Sequence, residues 1–327
     1  MQTLHTVIII ISAITLFIFG LQSFSKEIES FGIENLQRWI KKMTNLPLGG
    51  FILGGAVTAV IQSSTLVSSL TVSLVDSGII SFRDSLMILL GTNIGTTSTG
   101  WIVSYQSDMF GPALIVLGTL ISMAPSRIAV AGKSIFYFGF IFFALNLISI
   151  SMEPIKNDPM LLQIMEKATN PILGIIYGII ITIIIQSSSV VVGLVIVLVS
   201  QGVVPLNAAI AIVVGANIGT TSTALLVSLK LSPMSKLVAA SATGFNIIGV
   251  LIMLPFFGVL EQFARYLTDS HALQVAAAFT ASNTFTSVFF LIFFKPTLKL
   301  LQKTDWYKDG MQSIEQNKIS SQNPEAI

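Results

Sequence analysis

Two short polar runs interrupt long apolar stretches of the sequence. Each begins with a glutamine and continues with hydroxyl-bearing residues: Gln62, Ser63, Ser64 and Thr65 in the first run, and Gln186, Ser187, Ser188 and Ser189 in the second. Amide and hydroxyl groups donate and accept hydrogen bonds without carrying charge. Where such a run breaks a helix, the next helix begins with free N–H groups and a positive partial charge, which together favour an anion. We therefore expect both glutamines and the serines that follow them to bind an anion.

A second polar block follows each run about 30 residues later. It reads Gly-x-Asn-Ile-Gly-Thr-Thr-Ser-Thr, at residues 91–99 and again at residues 215–223. An anion buried without Lys or Arg needs a companion cation, because an unpaired buried charge is costly. Sodium suits the oxygen ligands of a broken helix, and its predicted ligands are Thr65, Asn93, Thr96, Thr97, Asn217, Thr220 and Thr221. The alternative is helix packing, since small residues let helices approach and polar ones bond across them, as we expect of the lone amides Asn246 and Asn283.

Groups for other chemistries are scarce in this chain. Charged residues make up 10% of it, cysteine is absent, and the two histidines, His5 and His271, lie at the ends of apolar segments. The apolar segments contain no acid–base pair, metal-ligand cluster or activated nucleophile, and neither glycine block has the lysine of a phosphate-binding loop. We therefore expect no enzyme activity, no cofactor and no nucleic-acid partner, and we expect both histidines to be solvated side chains.

The two halves of the chain are related by an internal repeat. Shifting the sequence by 124 positions places residues 55–104 on residues 179–228 without a gap, and both polar blocks coincide. The same shift carries the first apolar span, about residues 7–24, onto a span at about residues 131–148. Duplicated units with matching interruptions are typical of transporters. The predicted domains are repeat 1 (residues 1–125), repeat 2 (126–258), an additional span at about 272–294 within residues 259–302, and a disordered cytoplasmic tail (303–327).

The composition is that of a membrane protein. Hydrophobic residues make up 53% of the chain, and several windows near or above the ~18 residues of a membrane span carry almost no charge. Residues 48–78 and 170–202 each hold a glutamine run at their middle. An unbroken helix could pass through such a run, because Ser and Thr can bond to the preceding turn, but matching interruptions in both halves favour re-entrant hairpins. We predict an all-α polytopic protein with two inverted-topology repeats, each with a re-entrant helical hairpin, and about seven spans.

The positions of lysine and arginine predict the orientation. With re-entrant hairpins, Lys156, Lys167 and Arg265 lie on one face and the remaining 14 of the 17 basic residues lie on the other. Cytoplasmic loops carry the excess of basic residues, so the N-terminus is predicted outside and the C-terminus in the cytoplasm. If the hairpins spanned the membrane, the basic loops would fall on both faces. Residues 26–45 mix apolar and charged side chains, which predicts an interfacial amphipathic helix.

The paired motifs resemble those of a known family. Duplicated Gln-Ser-Ser hairpins, each followed by Gly-(Thr/Ala)-Asn-Ile-Gly-Thr-Thr, are similar to those of the sodium/phosphate cotransporter family, the type II group of animals and its bacterial relatives. The resemblance covers about residues 7–294. It implies sodium-coupled phosphate import by alternating access, with the two hairpins sharing the phosphate and sodium sites.

Three features depart from the family pattern. Thr65 stands where the family has a third serine, and Ala242 and Phe279 stand near places where a histidine would be expected. The tail is short, whereas many bacterial relatives carry a regulatory helical domain there. These departures lead us to expect a bare transporter, and they leave open whether its substrate or proton dependence is that of other members.

These expectations define a function and its alternatives. We expect a multi-pass transporter of the cell membrane whose partners are inorganic phosphate, sodium and the lipid bilayer, and whose assembly is compatible with a homodimer. Sodium is expected as a coupling ion and not as a cofactor. The alternatives are a sodium-coupled carrier for another oxyanion or a small carboxylate, and an ion channel in which the polar hairpins form a filter. Competition between anions separates the carriers, and fast flux without sodium coupling would indicate the channel.

Overall fold

The computed structural model describes residues 2–43, 46, 48–105, 108–124 and 127–322, and every element in this part of the chain is helical. The elements of repeat 1 are α1 (Gln2–Met43), α2 (Gly49–Ile61), α3 (Ser64–Asp76), α4 (Phe82–Ser104) and α5 (Phe110–Ser122). Those of repeat 2 are α6 (Arg127–Met152), α7 (Pro159–Ala168), α8 (Pro171–Ile185), α9 (Ser188–Ser200), α10 (Leu206–Ser228) and α11 (Pro233–Met253). They are followed by α12 (Phe257–Leu267), α13 (His271–Ile292), α14 (Phe294–Leu301) and α15 (Asp305–Gln322).

Six helical segments of the described residues are long and apolar enough to cross a membrane: His5–Ser30, Phe82–Ser104, Ile128–Ile155, Leu206–Ser228, Pro233–Leu267 and His271–Ile292. The remaining predicted span corresponds to α5, whose 13 residues extend only ~20 Å, less than the ~30 Å of a hydrocarbon core. α5 lies along α6, where a side-chain carbon added to Gly118 would lie 2.3 Å from the backbone nitrogen of Phe136. This close approach attaches the short helix to a full-length span, and the all-α membrane fold is confirmed.

Each predicted hairpin is broken at its glutamine. Gln62 ends α2 and Gln186 ends α8, and both adopt the left-handed conformation, with φ of 60° and 59°. Ser63 and Ser187 are extended, and α3 and α9 begin at the next serine. A left-handed residue followed by an extended one ends a helix and redirects the chain, so the alternative of an unbroken helix is wrong. We call α2 with α3 hairpin 1, and α8 with α9 hairpin 2.

The chain enters hairpin 2 through a sharp bend. α7 and α8 meet at an angle of 111°. Asn170 caps α8 by accepting hydrogen bonds from the backbone N–H groups of Ile172 and Leu173, at 3.0 and 3.4 Å. Pro171 begins the helix, where its missing N–H has no helical partner to lose. This bend between an amphipathic helix and an apolar one is the geometry of a re-entrant segment.

Glycines hold each hairpin against the span that follows it. A side-chain carbon added to Gly91 of α4 would lie 2.0 Å from the carbonyl oxygen of Phe51 in α2. The same addition to Gly215 of α10 would lie 2.1 Å from the carbonyl oxygen of Ile175 in α8. The two helix pairs therefore pack backbone to backbone at equivalent positions of the repeats. Part of the repeated glycine block thus serves helix packing.

The second arm of each hairpin packs against the other repeat. α3 contacts α10 and α11 of repeat 2, while α9 contacts α4 of repeat 1 and the additional span α13. The fully buried ring of Phe17 in α1 also reaches α9, at Gly193. The two hairpin tips consequently lie in one helical assembly and not in separate halves.

The tail differs from the sequence prediction. Disorder is predicted for residues 303–327, but most of this range forms α15. The ring of Tyr307 packs edge-on against Phe82 at the start of α4, with ring centroids 5.3 Å apart, and Gly310 is buried against Met234 of α11. The prediction of disorder is wrong for α15. It rests on the polar composition of the tail, whereas Tyr307 and Gly310 pack against the helix bundle.

The connector after the first span is a continuation of that span. An amphipathic helix is predicted over residues 26–45, and α1 continues without a break to Met43. The side chains of residues 31–45 lie outside the described residues. A position of this segment at the membrane interface therefore stays a prediction.

Candidate functional site

Both hairpin tips present the N-terminus of a helix. Ser63 Oγ accepts a hydrogen bond from the N–H of Leu66 at 3.3 Å, and Ser187 Oγ accepts one from the N–H of Val190 at 3.4 Å. A helix start has four N–H groups without helical partners, and each serine caps one of them. α3 and α9 therefore offer partial positive charge and N–H donors at equivalent points of the two repeats.

Gln62 is buried at the tip of hairpin 1, and its amide is fully engaged. Its Nε2 donates to the carbonyl oxygen of Ala59 and to Ser98 Oγ, the latter at 2.8 Å. Its Oε1 accepts from Thr99 Oγ1 at 2.7 Å. Thr99 Oγ1 also lies 3.2 Å from Ser189 Oγ in the first turn of α9. A chain of hydrogen bonds therefore joins the two tips through Thr99.

Gln186 occupies the equivalent position of hairpin 2 in a different environment. Its side chain is exposed, whereas that of Gln62 is 6% exposed. Among the described residues, its amide has no hydrogen-bond partner. Two N–H donors and a carbonyl acceptor are therefore available to a ligand. The two tips are equivalent in sequence and unequal in structure.

The serines that follow the glutamines take different positions. Ser64 lines a cavity between hairpin 1 and repeat 2. Its counterpart Ser188 is 1% exposed, and its hydroxyl has no partner in the described part of the chain. A buried hydroxyl without a partner costs ~1–3 kcal/mol unless a ligand supplies the hydrogen bond. The structure thus brings all the predicted anion ligands to the two tips, and their binding role stays a prediction.

A small polar cavity lies beside the tip of hairpin 1. Its volume is about 20 Å³, which admits one water-sized occupant because a single water needs ~10–15 Å³. Every side chain that lines it is uncharged. Its polar lining comes from four helices, α3, α4, α10 and α11, and consists of Ser64, Ser68, Thr92, Asn93, Asn217, Thr220, Thr221 and Asn246.

The structure brings four of the seven predicted sodium ligands to this cavity, namely Asn93, Asn217, Thr220 and Thr221. Thr96 and Thr97 do not line it. Their hydroxyls donate to the carbonyl oxygens of Thr92 and Ile94 within α4. Thr65 lies half-buried in the first turn of α3, also outside the cavity lining. Sodium binding by any of these residues stays a prediction.

Four asparagines connect the helices around the cavity. Asn93 Nδ2 donates to Asn246 Oδ1 at 2.7 Å, and Asn246 Nδ2 donates to the carbonyl oxygen of Asn217 at 3.1 Å. Asn217 Nδ2 donates to Asn283 Oδ1 at 2.6 Å, and Asn283 Nδ2 donates to the carbonyl oxygen of Phe279 at 2.9 Å. The amides bond across α4, α10, α11 and α13, so the expectation that Asn246 and Asn283 bond between helices is confirmed.

Ser98 and Thr99 belong to the candidate site by their contacts, although the sequence alone does not single them out. They contact Gln62, and Thr99 also reaches the opposite tip. Their signal was present, because the repeated block continues without a mismatch through both positions to Ser222 and Thr223. The spacing alone does not say that these hydroxyls meet a glutamine 36 or 37 residues earlier in the chain.

The electrostatics of the tips come from dipoles and not from charges. The carboxylate of hairpin 1, Asp76, lies at the far end of α3 and accepts from the N–H of Ser232 at 2.8 Å and from Ser235 Oγ at 3.1 Å. The described residues contain no group of three or more His, Cys, Asp or Glu side chains that could hold a metal ion. The tips can therefore hold an anion by N–H, hydroxyl and amide donors, and a hard cation by carbonyl, hydroxyl and amide oxygens.

The chain is similar to known proteins over most of its length. A family model described as Na+/Pi-cotransporter matches residues 16–150 and 155–280. An uncharacterized protein of Bacillus subtilis is 26% identical over 283 residues, which cover 85% of this chain and 91% of that protein. A putative inorganic phosphate export protein of Escherichia coli is 30% identical over 215 residues, 65% of this chain and 40% of that protein.

A human relative gives a third comparison. Sodium-dependent phosphate transport protein 2B of Homo sapiens is 28% identical over 208 residues, which cover 60% of this chain and 29% of that protein. The matches thus span less than half the length of the two relatives named for phosphate. No solved structure matches the chain.

Proposed function

Because the chain belongs to the Na+/Pi-cotransporter family, we propose that it is a secondary carrier that imports inorganic phosphate together with sodium. The observation that carries the proposal is the pair of broken hairpins whose tips are joined through Thr99. In carriers built from inverted repeats, substrate and coupling ions bind where discontinuous helices of the two repeats meet, near the middle of the membrane. The hairpin tips have the features of such a site.

Phosphate suits the donors of the two tips. Its oxygens accept several hydrogen bonds, and the N-termini of α3 and α9 with the free amide of Gln186 supply N–H groups for them. A helix N-terminus favours an anion by its orphan N–H groups and its dipole. We assign phosphate to Gln62, Ser63, Ser64 and Gln186 to Ser189, with Gln186 making the first contact because its amide is exposed.

Sodium supplies the charge that the tips lack. A dehydrated anion without a cation nearby is costly in an uncharged site. The cavity beside Ser64 has hydroxyl and amide groups in its lining and space for one water-sized occupant. A dehydrated sodium ion is of about that size. We therefore propose that sodium enters this cavity first and that phosphate then binds to the positively charged site.

The direction of transport follows from the sodium gradient. We propose that the N-terminus lies outside and the C-terminus in the cytoplasm of a cell membrane, because this places 14 of the 17 basic residues inside. An inward sodium gradient then drives import. Export is the second candidate, because the Escherichia coli relative is described as a putative export protein. The carrier needs no cofactor or catalytic step, and a homodimer is compatible with the proposal.

Uptake of radiolabelled phosphate into proteoliposomes tests this function. We expect accumulation with an inward sodium gradient, no accumulation with an equal potassium gradient, and competition by unlabelled phosphate but not by sulfate. Protein-free liposomes are the control. Equal uptake with both cations would contradict sodium coupling, competition by sulfate would contradict the substrate, and efflux that needs internal sodium without the reverse flux would favour export.

A further inference from the structure

Among the described residues, one of two equivalent sets of side chains joins the hairpin tips by hydrogen bonds. Thr99 Oγ1 donates to Gln62 Oε1 at 2.7 Å and lies 3.2 Å from Ser189 Oγ. All three side chains are buried. We call Gln62, Thr99 and Ser189 the first latch. Because Ser189 belongs to hairpin 2 and the other two residues to repeat 1, the first latch connects the repeats.

The internal repeat supplies a second set of residues with the same chemistry. The 124-residue shift relates Gln62 to Gln186, Thr99 to Thr223 and, in the reverse direction, Ser189 to Thr65. No hydrogen bond joins these counterparts within the described ranges of the chain. Gln186 is exposed, Thr223 Oγ1 donates to the carbonyl oxygen of Thr220 at 2.7 Å, and Thr65 has no side-chain hydrogen bond among the described residues.

Residue chemistry does not account for this asymmetry. The glutamine and the threonine are identical in the two sets, and the third member is a hydroxyl in both. The hydroxyls of the neighbouring Ser98 and Ser222 each donate to the carbonyl oxygen three residues earlier at 2.7 Å, although only Ser98 also accepts from a glutamine among the described residues. Every group needed for a second latch is present while its bonds are unmade. The difference between the tips is therefore one of conformation.

We propose that Gln186, Thr223 and Thr65 form a second latch in another conformation of the protein, and that the two latches are made alternately. This inference rests on the proposed carrier function. Where inverted repeats are related by a two-fold axis in the membrane plane, exchanging their conformations turns one facing state into the other. The same exchange turns the first latch into the second.

The alternation decides which glutamine is free to bind cargo. With the first latch made, both amide hydrogens of Gln62 donate to Ala59 O and Ser98 Oγ, while the side-chain amide of Gln186 has no partner among the residues that the structure describes. With the second latch made, Gln186 is held and Gln62 is released. Thr99 and Thr223 are thus positioning residues that act through the glutamines.

Cysteine crosslinking tests the second latch, because the chain has no cysteine of its own. The first-latch pair is Thr99→Cys with Ser189→Cys, and the second-latch pair is Thr223→Cys with Thr65→Cys. In native membranes, a mild oxidant or mercuric ion joins thiols that come close together, and the thiols that remain are counted after denaturation. Both pairs are expected to crosslink, and sodium with phosphate is expected to change the two yields in opposite directions by at least twofold. The four single-cysteine variants are the controls.

Two outcomes would overturn the inference. One is a second-latch pair that never crosslinks with any combination of sodium and phosphate, and the other is a pair of yields that rise and fall together. If phosphate uptake by the unchanged chain persists in either case, the proposed function stands and only the latch fails. If the pairs exchange while phosphate uptake is absent, the latch stands and the cargo is another one.

Removal of single hydroxyls gives a second readout. Thr99→Val is expected to raise the maleimide labelling of Ser63→Cys at tip 1, and Thr223→Val is expected to raise that of Ser187→Cys at tip 2. Thr99→Ser and Thr223→Ser should restore the original labelling, because the hydroxyl returns. A general loss of packing would raise labelling at both tips in both valine variants and would contradict an exchanging latch.

Discussion

Gln62 and Gln186 carry the same side-chain amide at equivalent points of the two repeats, but within the described part of the chain only that of Gln62 has hydrogen-bond partners. Burial and hydrogen bonding make Gln62 part of the folded structure as well as of the proposed site. The side chain of Gln186 is exposed, so its amide is available to a ligand. We therefore expect Gln62 to contribute to both stability and transport, and Gln186 to contribute to transport alone, although the two residues occupy the same sequence motif.

The first prediction follows from this difference. Gln62→Ala and Gln186→Ala are each expected to lower sodium-dependent phosphate uptake at least tenfold, since each removes a proposed ligand. Gln62→Ala should also destabilise the fold by ~1–3 kcal/mol, because it removes the three hydrogen bonds of a buried amide. Gln186→Ala should change stability by less than ~0.5 kcal/mol, as for other exposed side chains. Uptake and thermal unfolding of the purified variants measure both effects, and equal unfolding temperatures would contradict the account.

A second prediction concerns a pair of buried hydroxyls. Thr58 and Thr182 occupy equivalent positions, are 1% and 0% exposed, and have no hydrogen-bond partner in the described part of the chain. Replacing either by valine keeps the shape and removes an unsatisfied group, so stability is expected to rise by ~1 kcal/mol with uptake retained. Thermal unfolding and uptake are the measurements. A valine variant that folds but loses uptake would show that the hydroxyl binds a ligand.

At the scale of elements, the hairpins illustrate how much the sequence predicts. Duplicated interruptions predict the position of both helix breaks, and the structure breaks both helices there. The left-handed conformation of the glutamines could not be predicted, because residues other than glycine adopt it uncommonly. The asparagine contacts across four helices likewise depend on helix rotations that a single sequence does not determine.

A third prediction tests the helix pairs that hold the hairpins. Gly91→Ala and Gly215→Ala each place a side-chain carbon about 2 Å from a backbone oxygen of the neighbouring helix, so the helices must separate. We expect a loss of at least ~1–3 kcal/mol, as in other overpacked cores. Gly244→Ala in α11 is the matched control, because nothing lies within 4 Å of the added carbon. Thermal unfolding measures the stability of the three variants. Equal stability of all three would contradict the close packing of α2 against α4 and of α8 against α10.

In the molecule as a whole, the tail is the segment for which composition predicts disorder and the structure has a helix. α15 is polar on average, and its contacts with α4 and α11 attach it to the bundle. Its docking against the start of two helices that carry the site residues Asn93 and Asn246 ties the end of the chain to the elements of the cavity. The sequence alone shows that the tail is polar on average, but it does not show which surface of the bundle the tail packs against.

A fourth prediction measures the contribution of this docking. Tyr307→Ala removes a ring that packs against Phe82 and is expected to lower stability by ~0.5–1.5 kcal/mol beyond the lost apolar area. Tyr266→Ala is the control, because that side chain is 89% exposed and should have little effect. Thermal unfolding of both variants measures the loss of stability. A loss in Tyr266→Ala as large as that in Tyr307→Ala would argue against a docked tail.

Coupling between the two ions is the central claim about the whole molecule. The most direct measurement is the reverse drive: proteoliposomes with equal sodium inside and outside receive an inward phosphate gradient, and the movement of radiolabelled sodium is followed. A coupled carrier must use the phosphate gradient to accumulate sodium above its equilibrium level, and the Gln186→Ala variant must not. Phosphate entry without any accumulation of sodium would contradict the account.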